Sequence, residues 1–142
     1  MSDVVIDASV ALAWCFPDEG NDYADAVLAA LDNGSGVVPA VWALEVTNGV
    51  ILAERRKRIA APEIRRLSEL LRGLPIREDS MPVSFAISNL LPLAREYGLA
   101  AYDAAYLELA IRYALPLATL DRTLEKAARK AGTGIFAAPP RS

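Results

Sequence analysis

Hydrophobic and polar positions fall into two rhythms along the chain. Short apolar runs, several rich in β-branched residues, read as buried strands over residues 4–7, 36–38, 75–78 and 117–120. Between them the apolar positions recur at helical spacing, as with Ala24, Val27, Leu28 and Leu31. Helices are predicted over 9–16, stopping at Pro17, and over 22–31, stopping at Asn33-Gly34. A long helix over 41–58 has a basic C-terminal end, and another over 62–72 opens on Pro62 and stops at Gly73. Residues 84–97 form a helix that Pro92 should bend or split, with Gly98 as its stop. Helices over 103–113 and 122–131 follow, closed by Pro116 and Gly132, and residues 135–136 are a last edge-strand candidate before a Pro-Pro tail. Strands alternating with helices predict an α/β fold in three layers, a central parallel sheet of four to five strands with helices on both faces.

Composition changes this picture in three places. The length of 142 residues suits a single domain, and 54% hydrophobic content with only 7% aromatic residues predicts an aliphatic, alanine-rich core. No apolar stretch reaches membrane-spanning length, so no membrane association is expected. The opening Met1-Ser2-Asp3 has no basic run of the kind that starts a signal peptide. With the lone Cys15, which reads as a small core residue, this predicts a reducing, cytoplasmic setting. The net charge of −3 conceals an asymmetry. Residues 1–54 hold nine acids and no Lys or Arg, whereas residues 55–142 hold all fifteen basic residues and the other nine acids. An acidic balance argues against simple polyanion binding, but a basic segment beside an acidic pocket leaves room for it.

Four acids stand in or beside apolar runs: Asp7 in VVIDASVALAW, Glu45 in VWALEVTNGVIL, Asp103 in AAYDAAYLELA and Asp121 in LATLD. A carboxylate is costly to bury without a partner, and four converging ones repel unless a cation holds them. Oxygen-only donors point to a hard divalent ion, Mg²⁺ or Mn²⁺. The predicted elements put Asp7 and Asp121 at the carboxyl ends of two strands, where open α/β sheets bind ligands, and Glu45 and Asp103 near helix starts beside them. Each acid alone also has an ordinary reading. Asp7, Asp103 and Asp121 suit helix caps, and Glu45 suits a solvent-facing or Arg-paired position. Asn48 lies one turn beyond Glu45 on its face. Ser9 and Thr119 put hydroxyls near the two strand ends, either as caps or to orient carboxylates and waters. The chain has no histidine, so a water nucleophile must be activated by a metal, with a carboxylate as proton acceptor.

The opening VVIDASVALAW, the helix ALEVTN, the run YGLAAYDAAYLELA and the segment LPLATLD resemble the PIN-domain family, and more narrowly its VapC-type ribonuclease toxins. The likeness runs from about Val4 to Gly132 in order and spacing. It implies a three-layer α/β/α PIN-like domain and Mg²⁺- or Mn²⁺-dependent cleavage of RNA. It also implies a cognate VapB-type antitoxin partner, in a homodimer or a toxin–antitoxin hetero-oligomer. By the resemblance Asp7, Glu45, Asp103 and Asp121 are the catalytic acids. Asp7 and Asp103 are the metal ligands, with Ser9, Thr119 and Asn48 in support. A catalytically silent PIN-like binding module is the alternative. A phosphoacceptor signalling domain fits less well, because it wants an acidic pair after the first strand and a late lysine, where Asp7 stands alone and Thr119-Leu120-Asp121 follows. The basic residues 55–58, with Arg65, Arg66, Arg72 and Arg77, read either as solvated surface or as phosphate contacts. Trp14 and Trp42 read as core anchors, and Tyr102 and Tyr106 flank Asp103 without a settled role.

Overall fold

The computed structural model describes residues 3–16 and 20–138. The stop assigned to Pro17 and the Pro-Pro tail lie outside these residues. Four strands form one parallel sheet in the order β3-β2-β1-β4: β1 is Val4–Ile6, β2 Gly36–Pro39, β3 Ile76–Asp79 and β4 Leu117–Ala118. Val5 pairs with Val37 on one side and Leu117 on the other, which makes β1 a central strand. All residues of β1, β2 and β4 are buried, as expected of strands covered on both faces. Gly36 is needed for close packing here, since a Cβ at that position would lie 2.7 Å from Cδ1 of Ile6.

Helices α1 (Ala8–Trp14) and α2 (Asp22–Ala30) link β1 to β2, and α3 (Trp42–Arg55) and α4 (Ala61–Gly73) link β2 to β3. A longer excursion through α5 (Val83–Phe85), α6 (Leu91–Tyr97) and α7 (Ala101–Tyr113) returns to β4, and α8 (Arg122–Lys130) follows it. The central helix α7 buries Tyr106, Leu107, Leu109 and Ala110 in the core formed with the sheet, and Ala104 and Ala105 in a second cluster with Leu90. Trp14 and Trp42 are both buried, as is the free thiol of Cys15. The Trp14 indole donates to the Ala24 carbonyl at 2.9 Å and pins α1 to α2. Among the described residues no helix is long and apolar enough to cross a membrane.

Three elements depart from the sequence pattern. The α3 helix ends at Arg55 rather than at residue 58, because Lys57 takes a left-handed conformation (φ 59°). The segment around Pro92 is neither simply bent nor split. Helix α5 runs into a π-helical turn, Ala86–Leu90, and then into α6 with Pro92 in its first turn. Proline cannot donate to a carbonyl one turn back and crowds it, and the wider turn relieves that crowding. The edge strand expected at 135–136 is reduced to a single parallel bridge between Leu117 and Ile135. Beyond it, Tyr23 holds the chain by donating to the Phe136 carbonyl at 2.8 Å and packing edge-on against the Phe136 ring.

Candidate active site

Strand order reverses between β1 and β4: the chain passes from β1 outward to β3 on one side, then returns to place β4 on the other. The crevice outside the carboxyl ends of two such strands is where open α/β sheets bind ligands. Asp7 directly follows β1, and Thr119 and Asp121 follow β4.

Asp7 is only 6% exposed and occupies the N-cap position of α1, yet its side chain caps no backbone N–H. Its Oδ2 accepts two hydrogen bonds of 2.7 Å, from the Ser9 hydroxyl and from the Thr119 hydroxyl. The same hydroxyls also accept: Ser9 Oγ takes the backbone N–H of Leu120 at 3.0 Å, and Thr119 Oγ1 takes that of Asp121 at 3.0 Å. A lattice of side-chain bonds thus ties the end of β1 to the end of β4, and β4 stops after two residues as the chain turns toward α8. The supporting positions expected for Ser9 and Thr119 are occupied as hydrogen-bonding partners of Asp7.

Asp121 fulfils the ordinary capping reading, since its Oδ1 accepts from the backbone N–H groups of Thr123 and Leu124 at the start of α8. It also lies near Asp103, since its charge is one of the causes that raise the Asp103 pKa. Glu45, in the first turn of α3, is half-buried rather than solvent-facing, and among the described residues it pairs with no Arg. Its Oε1 accepts a 2.6 Å hydrogen bond from Tyr106, whose ring is wholly buried in α7. Burial pushes the Glu45 pKa up, the Tyr106 hydroxyl partly opposes this, and the charge of Asp7 adds to the rise. The Tyr106 hydroxyl is itself driven far above its ordinary value, first by burial and then by its bond to Glu45, and it acts as a fixed donor.

Asp103, in the first turn of α7, is the outlier. No protein group donates to it among the described residues. Burial, followed by the charges of Asp121, Asp7 and Glu45, raises its pKa to about 6. All four predicted acids therefore share one electrostatic neighbourhood, and none of them makes an ion pair with Lys or Arg among the described residues. Their arrangement has a common feature. Asp7, Glu45 and Asp121 each have one oxygen bound by protein donors and leave the other without one.

Two sequence readings find less support in the geometry. Asn48 is exposed on α3 and makes no hydrogen bond to the acids, although it shares a helix with Glu45. Tyr102 is 59% exposed, whereas Tyr106 became part of the site; only the opposite faces of α7 separate them. No three carboxylates among the described residues are close enough to hold one ion together. The donor chemistry nonetheless suits Mg²⁺, which keeps several of its waters and is held by one or two carboxylates.

The PIN domain profile matches residues 4–130 of the chain. No curated protein is similar enough in sequence to stand as a relative. Among solved structures, PAE2754 from Pyrobaculum aerophilum superposes with a TM-score of 0.69 at 24% identity, covering 94% of this chain and 83% of its own. FitAcB from Neisseria gonorrhoeae gives 0.61 at 21% identity, covering 94% and 96%. VapBC2 from Rickettsia felis, solved bound to a DNA fragment from its promoter, gives 0.59 at 11% identity, covering 88% and 92%. At these identities the likeness is one of fold.

Proposed function

The chain belongs to the PIN-domain family, and on that premise we propose that it is the toxin of a toxin–antitoxin pair, a Mg²⁺- or Mn²⁺-dependent endoribonuclease. One observation carries the chemistry: at the strand-order reversal, carboxylates from four separate elements lie near enough for three of them to raise the pKa of the fourth, Asp103, with no Lys or Arg paired to any of them among the described residues. Protein folding alone gives no reason to place them so. Similarity to FitAcB and to a toxin–antitoxin complex from Klebsiella pneumoniae supports the toxin role and a cognate VapB-type antitoxin as partner.

Asp7 and Asp103 are the residues that would hold the cation, with Glu45 and Asp121 reaching it through water. Bound there, the cation supplies positive charge to the scissile phosphate and makes a water easier to deprotonate. The chain does the rest. Ser9 and Thr119 fix the Asp7 carboxylate from one side and set the direction of its other oxygen. Tyr106 does the same for Glu45. Asp103, bonded to no protein donor among the described residues, would offer its oxygens to the cation, and Glu45 or Asp121 would accept the proton as the water attacks. Apolar side chains exposed on one side of α3, Leu44, Ile51 and Leu52, offer the antitoxin a surface.

RNA cleavage with Mg²⁺ or Mn²⁺, compared with EDTA, tests the reading for the wild type, Asp7→Asn and Asp103→Asn. Cleavage should require metal and fall by at least about a hundredfold in each variant. Cutting that persists in EDTA, or that is unchanged in both variants, refutes it.

A further inference from the structure

We propose that the exposed face of α8 is the track that holds the backbone of the RNA substrate, an inference that rests on the nuclease reading above. Arg122, Lys126 and Lys130 follow one another at i, i+4 and i+8, so they form one stripe along the helix. All three are exposed, and none makes an ion pair among the described residues. The only acid on this helix, Glu125, is already bonded to Arg129 at 3.0 Å. Below the stripe Leu124, Ala127 and Ala128 are buried, which fixes its outward direction. The stripe starts at the site, because Asp121 caps the helix and Arg122 is its first residue. Helical rise then sets Lys126 about 7 Å and Lys130 about 13 Å beyond Asp121 along the axis.

Grooves flank the stripe on both sides. One is lined by Arg122, Lys126 and Lys130 together with the paired Glu125 and Arg129, and the other runs between Lys126 and Lys130 of α8 and Glu96 and Tyr97 of α6. Glu96 does not reach either lysine to pair with it. An evenly spaced row of unneutralised cations leading from an acidic centre fits a polyanion of repeating charge, and it offsets the repulsion such a chain meets at four carboxylates. The basic residues at 55–58, the candidate from sequence, are placed differently. Arg55 lies about 15 Å along α3 from Glu45. The exposed surface between them carries no cation, only apolar and neutral side chains and Glu54.

The test compares Arg122→Gln/Lys126→Gln/Lys130→Gln with a control triple, Arg55→Gln/Arg56→Gln/Arg65→Gln, each in the full chain. Binding of a fluorescein-labelled unstructured RNA oligonucleotide is followed by anisotropy against salt, in Mg²⁺ and in an Asp103→Asn background so that the RNA stays intact. Each lost phosphate contact on a single strand lowers the salt slope by about 0.7, so the α8 triple should lose about two units of slope. From about 50 to 200 mM salt, the α8-intact protein should then lose about fifteenfold more affinity than the triple. In cleavage by the otherwise wild-type chain, the α8 triple should raise KM about tenfold and leave kcat within about twofold. The control triple should change neither quantity. An unchanged slope in the α8 triple, or an equal loss in the control, overturns the track. If the intact chain binds RNA with the expected slope but cuts none, the nuclease reading falls and the track stands; if it binds no RNA, both fall.

Discussion

Replacing Asp103 with Asn should stabilise the metal-free protein, although it should abolish function. Asp103 sits among three other carboxylates with no donor of its own, and its pKa rises from the ordinary 3.8 to about 6. A group whose folded-state pKa is raised binds its proton more tightly in the folded state than in the unfolded chain. For a carboxyl this is a loss of stability on ionisation. Well below the ordinary 3.8 both states are protonated and the effect is absent; only a small part of it has appeared at pH 4, and it is complete above pH 6. Each tenfold change in proton affinity is worth about 1.4 kcal/mol, so the rise sets a ceiling of about 3 kcal/mol. The side chain is only partly buried, and solvent screening brings the expected value to about 1–2 kcal/mol. The assay is thermal or urea unfolding in EDTA, for wild type and Asp103→Asn, at pH 7.5 and pH 4. The variant should unfold about 3–8 °C higher at pH 7.5, and the gap should close near pH 4. Added Mg²⁺ should stabilise the wild type more than the variant. A variant that is equal or less stable at pH 7.5, or a gap that persists undiminished at pH 4, would show that the acids do not repel one another as described.

Two further substitutions probe the bonds that hold the acids. Tyr106→Phe keeps the buried ring but removes the 2.6 Å bond to Glu45, and should cost about 1–2 kcal/mol in urea unfolding. Glu45 should then titrate higher still by NMR; an unchanged Glu45 titration would contradict the bond. Thr119→Val keeps the shape but leaves Asp7 Oδ2 with the Ser9 bond alone and the Asp121 N–H without its acceptor, and should cost about 1–3 kcal/mol, while Thr119→Ser should recover most of it. Equal stability of the Val and Ser variants would show that the hydroxyl does not bridge the two strands.

What the sequence made legible and what it hid have physical causes. Asp7 and Asp121 could be placed because a short apolar run that closes on an acid is a strand ending at its carboxyl edge, and parallel topology gathers those edges. Glu45 and Asp103 could be placed only as helix-start acids, since which way a helix turns depends on what it packs against. That is why Tyr106, three residues past Asp103, emerged as a partner of Glu45 only in three dimensions, and why Asn48 faces solvent despite sharing a helix with Glu45. The cap reading and the site reading of Asp121 turned out to be compatible, because a carboxylate has two oxygens and α8 uses one. The basic residues at 55–58 drew attention through their density in sequence. The cations of α8 are spaced by a helical turn, so they form a row only when the helix is drawn. Pro92 signalled an irregular helix, but composition does not distinguish a kink, a break and a widened turn.

That widened turn, Ala86–Leu90, makes the helical segment from Val83 to Tyr97 a phase adjuster. Its longer-range bonding holds one residue more than an α-helical turn would. With that residue, Leu90 points inward against Ala104 and Ala105, while Val83, Ile87 and Leu91 stay outside. The wider turn absorbs that residue with little change of phase, so deleting one residue inside it would restore a regular helix and leave both flanks on their present faces, whereas a deletion outside it would rotate one flank by about 100° relative to the other. The segment is therefore sensitive to where its length changes in a way its exposed surface conceals: a single-residue deletion is absorbed within the turn, but outside it would change which face the segment shows to solvent.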